Sequence, residues 1–316
     1  MNTVLVTGAN GFVGTHLCTI LQEKGYTVRR AVRTSEASQS HADDLVQVGD
    51  IDANTDWSQA LDGVDAVVHL AARVHVLNES SDDPLASFRE VNTHATEKLA
   101  SQAAEQGIRR FVYISSIKAC VSTTPNGPQR EADPAHPEGP YGQSKYEAEL
   151  ALLRIAEVTQ LEPVVIRPPL VYGPGVGGNF LRLLSVVQKR VPLPLRGIKN
   201  GRSLVSVYNL CDLIALCLDH PAAPCQVFNV SDGHDLSTPE LLTAIGSAMN
   251  RRALLWPVPS ALLRMMFKIT GRPDDFDRLF GSLQVSISKA RNVVGWTPAL
   301  SIHEGLQKTV RWYCDQ

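Results

Sequence analysis

Thr3-Val4-Leu5-Val6-Thr7-Gly8-Ala9-Asn10-Gly11-Phe12-Val13-Gly14 is the stretch that decides the fold. A β-branched run, Val4 to Val6, leads into a glycine-rich turn, after which Phe12, Val13, Leu17, Ile20 and Leu21 recur at helical spacing. The order predicts strand, tight turn, helix. Without Cβ atoms the backbone can turn sharply and let a pyrophosphate approach the helix start, whose free N–H groups and dipole favour an anion. Gly8, Gly11 and Gly14, spaced GxxGxxG, are therefore read as a dinucleotide cradle, with Asn10, Phe12 and Val13 beside them as cofactor contacts.

Further along, apolar runs recur at Thr27 to Val32, Ala66 to Leu70, Phe111 to Ile114 and Val164 to Ile166, most of them separated by stretches of helical character. Such alternation implies a parallel sheet covered on both faces, with continuously apolar strands such as Ala66-Val67-Val68. The expected class is α/β, a Rossmann-type doubly wound parallel sheet with a smaller, mainly helical C-terminal region. The rhythm changes after Pro168-Pro169, where Tyr172-Gly173-Pro174-Gly175 and Gly177-Gly178 mark a boundary. Residues 1–172 are assigned to dinucleotide binding, with a return at about 204–232 through a strand at Val227 to Val230. Residues 173–203 and 233–316 are assigned to substrate. Ser237-Thr238-Pro239-Glu240 has the spacing of a capping box that starts a helix.

The composition narrows the function. The chain has 316 residues, 44% apolar and 20% charged, which excludes disorder, collagen and coiled coil and leaves room for about two domains of ~150 residues. Thirty Lys and Arg against thirty-two Asp and Glu give a net charge of −2, without the basic excess of a nucleic-acid binder. Six cysteines without a CxxC pair or a His cluster argue against structural zinc. The start of the chain lacks a secretory pattern, so a cytoplasmic protein with reduced, core-forming cysteines is expected. Ala253 to Thr270 is the most apolar late stretch, but Pro257, Pro259 and Arg264 break it below the length of a membrane span; an interfacial amphipathic helix there is the less favoured reading.

Two further groups carry chemistry. An NAD site usually places a carboxylate about 20 residues beyond the glycines, at the end of the second strand. Val32-Arg33 stands there instead, and Arg33, with Arg29 or Arg30, suits the 2′-phosphate of NADP; the less favoured reading has Arg33 stacked on adenine or in solvent. NADP(H) is slightly favoured over NAD(H). Tyr141 and Lys145 lie four apart at a helix start and share a face; an ammonium beside a phenol favours the phenolate and makes the tyrosine a usable proton donor and acceptor. Phe111 to Ile114 ends in Ser115-Ser116 at the edge of the sheet where α/β proteins bind ligands, and Ser116 is read as the third member.

With these residues the chain resembles the extended short-chain dehydrogenase/reductase family, the NAD-dependent epimerase/dehydratase group, over nearly its whole length. The resemblance implies adenine contacts at Asp50-Ile51, a cofactor-lining motif at His69-Leu70-Ala71-Ala72, a structural Asn92, and Pro168 in the segment from Arg167 to Pro174 beside the nicotinamide. The 25-residue interval from Ser116 to Tyr141 is similar to that of UDP-hexose 4-epimerases. By the same likeness Asn179, Arg202 and Arg278 would hold the diphosphate of a UDP-sugar, together with Ser116 and Tyr141 at the sugar. The helices Ser87 to Gln106 and Tyr141 to Thr159 would pair in a homodimer.

The family's dehydratases resemble one another in an Asp-Glu pair after the first hydroxyl; Ser115-Ser116-Ile117-Lys118 lacks it. Reduction and epimerisation remain. The expected reaction is reduction of a UDP-4-keto-6-deoxy-N-acetylhexosamine, as in bacterial 4-ketoreductases of O-antigen or other surface-polysaccharide synthesis. A UDP-hexose 4-epimerase acting on UDP-glucose or UDP-N-acetylglucosamine is the alternative, and a non-catalytic nucleotide sensor the remote one.

Overall fold

The structure is a computed structural model, describing residues 3–34, 45–74, 83–259, 262, 265 and 280–316. Seven strands, β1 (Thr3–Thr7), β2 (Thr27–Val32), β3 (Leu45–Gln47), β4 (Ala66–His69), β5 (Arg110–Ile114), β6 (Glu162–Arg167) and β9 (Val227–Asn229), form one sheet in the order β3-β2-β1-β4-β5-β6-β9. Every pairing is parallel. The sheet is doubly wound, the class read from the alternation of apolar runs; the chain starts inside it at β1, runs outward to β3, then returns to β4 and runs outward to β9.

Both faces of the sheet are buried, which is why its strands read as continuous apolar runs rather than as alternating ones. On one face Val4, Val6 and Val68 pack with Leu17, Cys18 and Leu21 of α1 (Phe12–Glu23) and with Leu210, Cys211 and Ile214 of α7 (Val207–Asp219). On the other, Leu5, Val67 and Phe111 meet Leu61 of the short α2 (Ser58–Leu61), Leu99 and Ala103 of α4 (Ala95–Glu105) and Ala148 and Leu152 of α5 (Gly139–Val158). Each fully buried Val, Leu, Ile or Phe among these contributes roughly 1.5–3 kcal/mol.

A third core lies apart from the sheet. Tyr172 of β7 (Leu170–Tyr172), Leu204 of β8 (Leu204–Ser206), Phe180 and Leu184 of α6 (Gly178–Gln188), Leu242 of α8 (Thr238–Ala248) and Leu306 of α10 (Ile302–Cys314) are buried together. Among the described residues β7 and β8 pair only with each other. α8 begins at the capping box read from sequence: Ser237 Oγ accepts from the Glu240 amide, and the Glu240 carboxylate accepts from the Ser237 amide. α9 (Ser288–Val294) leads back toward β9.

Two expectations change, and a third falls outside the described residues. Cys18, Cys120, Cys211 and Cys217 are buried, but Cys225 and Cys314 are exposed, because one lies in the turn before β9 and the other in the last turn of α10. The single helix expected over Ser87 to Gln106 is α3 (Pro84–Arg89), a π-turn over Glu90–His94, and α4. Arg278 lies outside the described residues, as does most of 260–279. Among the described residues no helix is long and apolar enough to cross a membrane, and no His, Cys, Asp or Glu group could hold a metal.

Candidate active site

The carboxyl ends of β1, β4, β5 and β6, adjacent in the sheet, deliver the glycine turn, Leu70-Ala71-Ala72, Ser116 and Pro168 to one edge. Gly8 adopts φ +65°, and a Cβ there would come within 2.9 Å of the Ala71 amide nitrogen. A Cβ at Gly14 would overlap the Gly8 carbonyl oxygen, so glycine is required for α1 to pack this close to the turn. Gly11 caps α1 without a side-chain hydrogen bond, and the first turn of α1 carries no acidic side chain. Its N–H groups and dipole are therefore offered to an anion, and the cradle fits a dinucleotide pyrophosphate.

A polar ladder ties the first two loops together. Thr7 Oγ1 accepts from the Leu70 and Ala71 amides at 3.2 and 3.1 Å and lies 2.7 Å from His69 Nδ1. His69 Nε2 lies 2.9 Å from Thr96 Oγ1, which donates to the Asn92 carbonyl. Burial, with the nearby Lys145 charge second, depresses the His69 pKa to about 3, so the ring is neutral at every ordinary pH. Asn92, fully buried in the π-turn, accepts from the Arg73 amide at 2.8 Å and donates to the Arg73 carbonyl and to Ser144 Oγ, both at 3.0 Å. It joins the loop after β4 to the helix that carries Tyr141 and Lys145.

That helix, α5, starts at Gly139 (φ +69°) with Pro140 in its first turn. A Cβ at Gly142 would overlap the Lys118 carbonyl oxygen, so glycine beside Tyr141 lets α5 press onto the turn that follows Ser116. Ser116 Oγ accepts from the Lys118 amide at 3.2 Å and hydrogen-bonds Tyr141. Lys145 is 2% exposed; its Nζ donates to the Ile114 carbonyl at 2.7 Å and sits 4.5 Å from the Tyr113 ring centre. Burial lowers its pKa to about 7 against the attraction of Glu149. Tyr141 moves the other way from the sequence expectation: burial raises its pKa, and only the Ser116 hydrogen bond opposes this. The ammonium that was to draw the phenol down is itself partly discharged by desolvation.

Ser115 and Ser116 divide their work. Ser115 Oγ donates to Glu149 Oε1, one helical turn beyond Lys145. Glu149 also accepts from Arg167 Nε at 3.0 and 3.2 Å and from Nη2 at 2.5 Å, with side chains 3% and 7% exposed. The pair anchors α5 to the end of β6. Sequence reasoning placed Arg167 only in a segment beside the cofactor and missed Glu149, Ser144, Thr7 and Thr96; the four-residue step from Lys145 to Glu149 was the available signal.

The remaining sequence-derived residues spread outward. Arg33 and Asp50 meet: Arg33 Nε is 2.8 Å from Asp50 Oδ1, with side chains 75% and 84% exposed. Ile51 is half-buried against the core next to it. Asn10 is exposed at the turn, while Phe12 and Val13 are partly buried, Phe12 touching both the sheet core and the third core. Pro168 is buried and its carbonyl accepts from the Ile117 amide. Asn179 is exposed in the first turn of α6, and half-buried Arg202 is fixed by its backbone between Leu236 and Leu283. The structure thus clusters Ser116, Tyr141 and Lys145, and sets Asn179 and Arg202 on separate elements.

A profile of the NAD dependent epimerase/dehydratase family matches residues 4–231. A UDP-glucose 4-epimerase of Vibrio cholerae is 45% identical over 312 residues, 98% of this chain and 94% of its own. An N-acetyl-alpha-D-glucosaminyl-diphospho-ditrans,octacis-undecaprenol 4-epimerase of Escherichia coli O157:H7 is 26% identical over 98% of this chain and 95% of its own. Among solved structures, MoeE5 in complex with UDP-glucuronic acid and NAD superposes with a TM-score of 0.79 at 24% identity, covering 99% of both chains, a likeness of fold.

Proposed function

We propose that this chain, which belongs to the NAD dependent epimerase/dehydratase family, is a UDP-hexose 4-epimerase. The observation that carries the reading is the 45% identity with a UDP-glucose 4-epimerase over nearly the full length of both chains. It favours the alternative drawn from the sequence over the 4-keto reduction set first there.

Gly8, Gly11, Gly14 and the free amides of α1 would hold the cofactor pyrophosphate, and Leu70 to Ala72 and Pro168 would flank it. NAD is the better match. The Arg33 guanidinium that would meet a 2′-phosphate is paired with Asp50, whose carboxylate would repel one. When bound, a nicotinamide would supply reversible hydride transfer at carbon 4 of the sugar, the return to the opposite face of the carbonyl giving the epimer. Tyr141 takes the proton of the 4-hydroxyl as the carbonyl forms and gives it back when the hydride returns. Ser116, hydrogen-bonded to Tyr141, orients that oxygen, and Lys145, one turn further along α5, would hold the nicotinamide ribose. Asn179 and Arg202 would bind the diphosphate. The homodimer face would be α3, α4 and α5, where Arg89 and Glu147 pair and Leu150 is exposed.

Purified protein given UDP-galactose and no added nucleotide should form UDP-glucose, and denaturation should release NAD near one equivalent. Protein that is empty and turns over only with NADPH and a UDP-4-keto sugar would overturn the epimerase reading in favour of the reductase.

A further inference from the structure

The near-neutral net charge conceals a strong separation. Residues 173–203 and 241–273 contain no Asp or Glu, yet hold eleven of the thirty Lys and Arg. The chain folds parts of these two acid-free runs against each other. Arg251 Nη1 donates to the Gln188 carbonyl at 2.6 Å, just past which Lys189 and Arg190 follow α6. The Leu193 amide bonds the Leu254 carbonyl, the Trp256 amide the Leu193 carbonyl, and the Arg196 amide the Trp256 carbonyl, at 2.9, 2.8 and 3.1 Å.

One continuous surface therefore carries exposed Lys189, Arg190, Arg196, Arg251 and Arg252. Among the described residues none of these cations is paired with a carboxylate. Large apolar side chains stand among them: Trp256 is 62% exposed and Val191 41%. Leu262 and Met265, in the second run, are exposed as well. Folding gives no reason to leave an indole in water between unpaired cations. Anionic lipid headgroups attract Lys and Arg near the surface, and indole rings partition to the boundary between headgroups and acyl chains.

We propose that this face docks the enzyme on the anionic surface of a lipid bilayer, with Trp256 seated at headgroup depth and the surrounding cations on lipid phosphates. A nucleic acid would use the same charges but give exposed Trp256 and Val191 no apolar phase to enter. The contact is peripheral and leaves the carboxyl edge of the sheet to its own chemistry.

Flotation of the full-length protein with vesicles of phosphatidylcholine alone, or with about one third phosphatidylglycerol, tests this. Binding is expected only to the anionic vesicles, and is expected to be lost at high salt. Because Trp57 and Trp296 are buried and Trp312 is half-buried, Trp256 should dominate a blue shift of the emission on binding, and Trp256→Phe should remove it. Reversing two charges, Lys189→Glu with Arg252→Glu, should lower vesicle partition about 25-fold or more, at about fivefold per cation, while the thermal midpoint stays unchanged. Should that variant fail to fold, the salt dependence and the wild-type emission shift decide. No flotation at low salt, equal flotation on neutral vesicles, binding unchanged by charge reversal, or polyuridylate bound as tightly as vesicles with no emission shift would each overturn the proposal.

Discussion

Glu149→Gln should be among the most damaging single substitutions outside the cradle, and its cost can be worked from the structure. The change keeps shape and one acceptor but removes the charge that faces Arg167 across three hydrogen-bond contacts, with both groups more than nine-tenths buried. A buried guanidinium left without its counter-charge costs about 3–5 kcal/mol. The substituted amide can still accept from Ser115 or from Arg167, so the lower end, about 3 kcal/mol, is expected. At a urea dependence of about 3 kcal/mol per molar, the unfolding midpoint should fall by about 1 M. The companion double substitution, Glu149→Leu with Arg167→Met, removes both charges and should recover most of the loss, since an apolar pair of similar volume is commonly as stable as the ion pair it replaces. A single-variant loss under about 1 kcal/mol, or a double variant as weak as the single, would refute the assignment of this pair as the anchor between α5 and β6.

Other consequences follow from the same geometry. His69 stays neutral in the folded protein down to about pH 3, whereas its unfolded form takes a proton below about 6.5; stability from this group is present above pH 6.5 and is lost as the pH falls toward 3. Between pH 7.5 and 5.5 the difference is about 1.4 kcal/mol, and a His69→Asn variant should lack that part of the acid sensitivity in urea titrations; identical pH slopes would contradict the buried neutral ring. Gly14→Ala must push α1 off the Gly8 carbonyl and should cost about 1–3 kcal/mol of stability as well as cofactor affinity. Gly11→Ala, whose Cβ meets the Gly8 oxygen at 3.2 Å from an ordinary backbone conformation, should keep stability within about 1 kcal/mol yet weaken NAD by about tenfold or more, read by calorimetry. Equal stability loss in the two variants would contradict the distinction between packing and pyrophosphate access.

How much of this was legible in the sequence depends on the range over which each feature is encoded. The strand, turn and helix of residues 3–23 are local: apolar spacing and glycine suffice, and β1 and α1 form there. The capping box at Ser237 is local too. The three-residue strand β3 carried too short an apolar pattern to be found, and it forms because β2 offers it an edge. Arg33 and Asp50, read separately as a phosphate ligand and an adenine contact, face each other because parallel β2 and β3 end side by side. The ladder Thr7-His69-Thr96 draws one member each from β1, β4 and α4, so no periodicity could reveal it. The upward shift of Tyr141 depends on how deeply α5 is packed, which spacing alone does not encode.

The central claim is that hydride leaves carbon 4 and returns to it within one site served by Ser116, Tyr141 and Lys145. UDP-galactose deuterated at carbon 4, incubated in ordinary water with the purified protein and no added nucleotide, tests it by mass spectrometry. The account predicts UDP-glucose that retains the deuterium at carbon 4, and about a hundredfold or more slower conversion by Tyr141→Phe with NAD still bound. Product that has exchanged the label for solvent hydrogen, or unimpaired turnover by Tyr141→Phe, would contradict it.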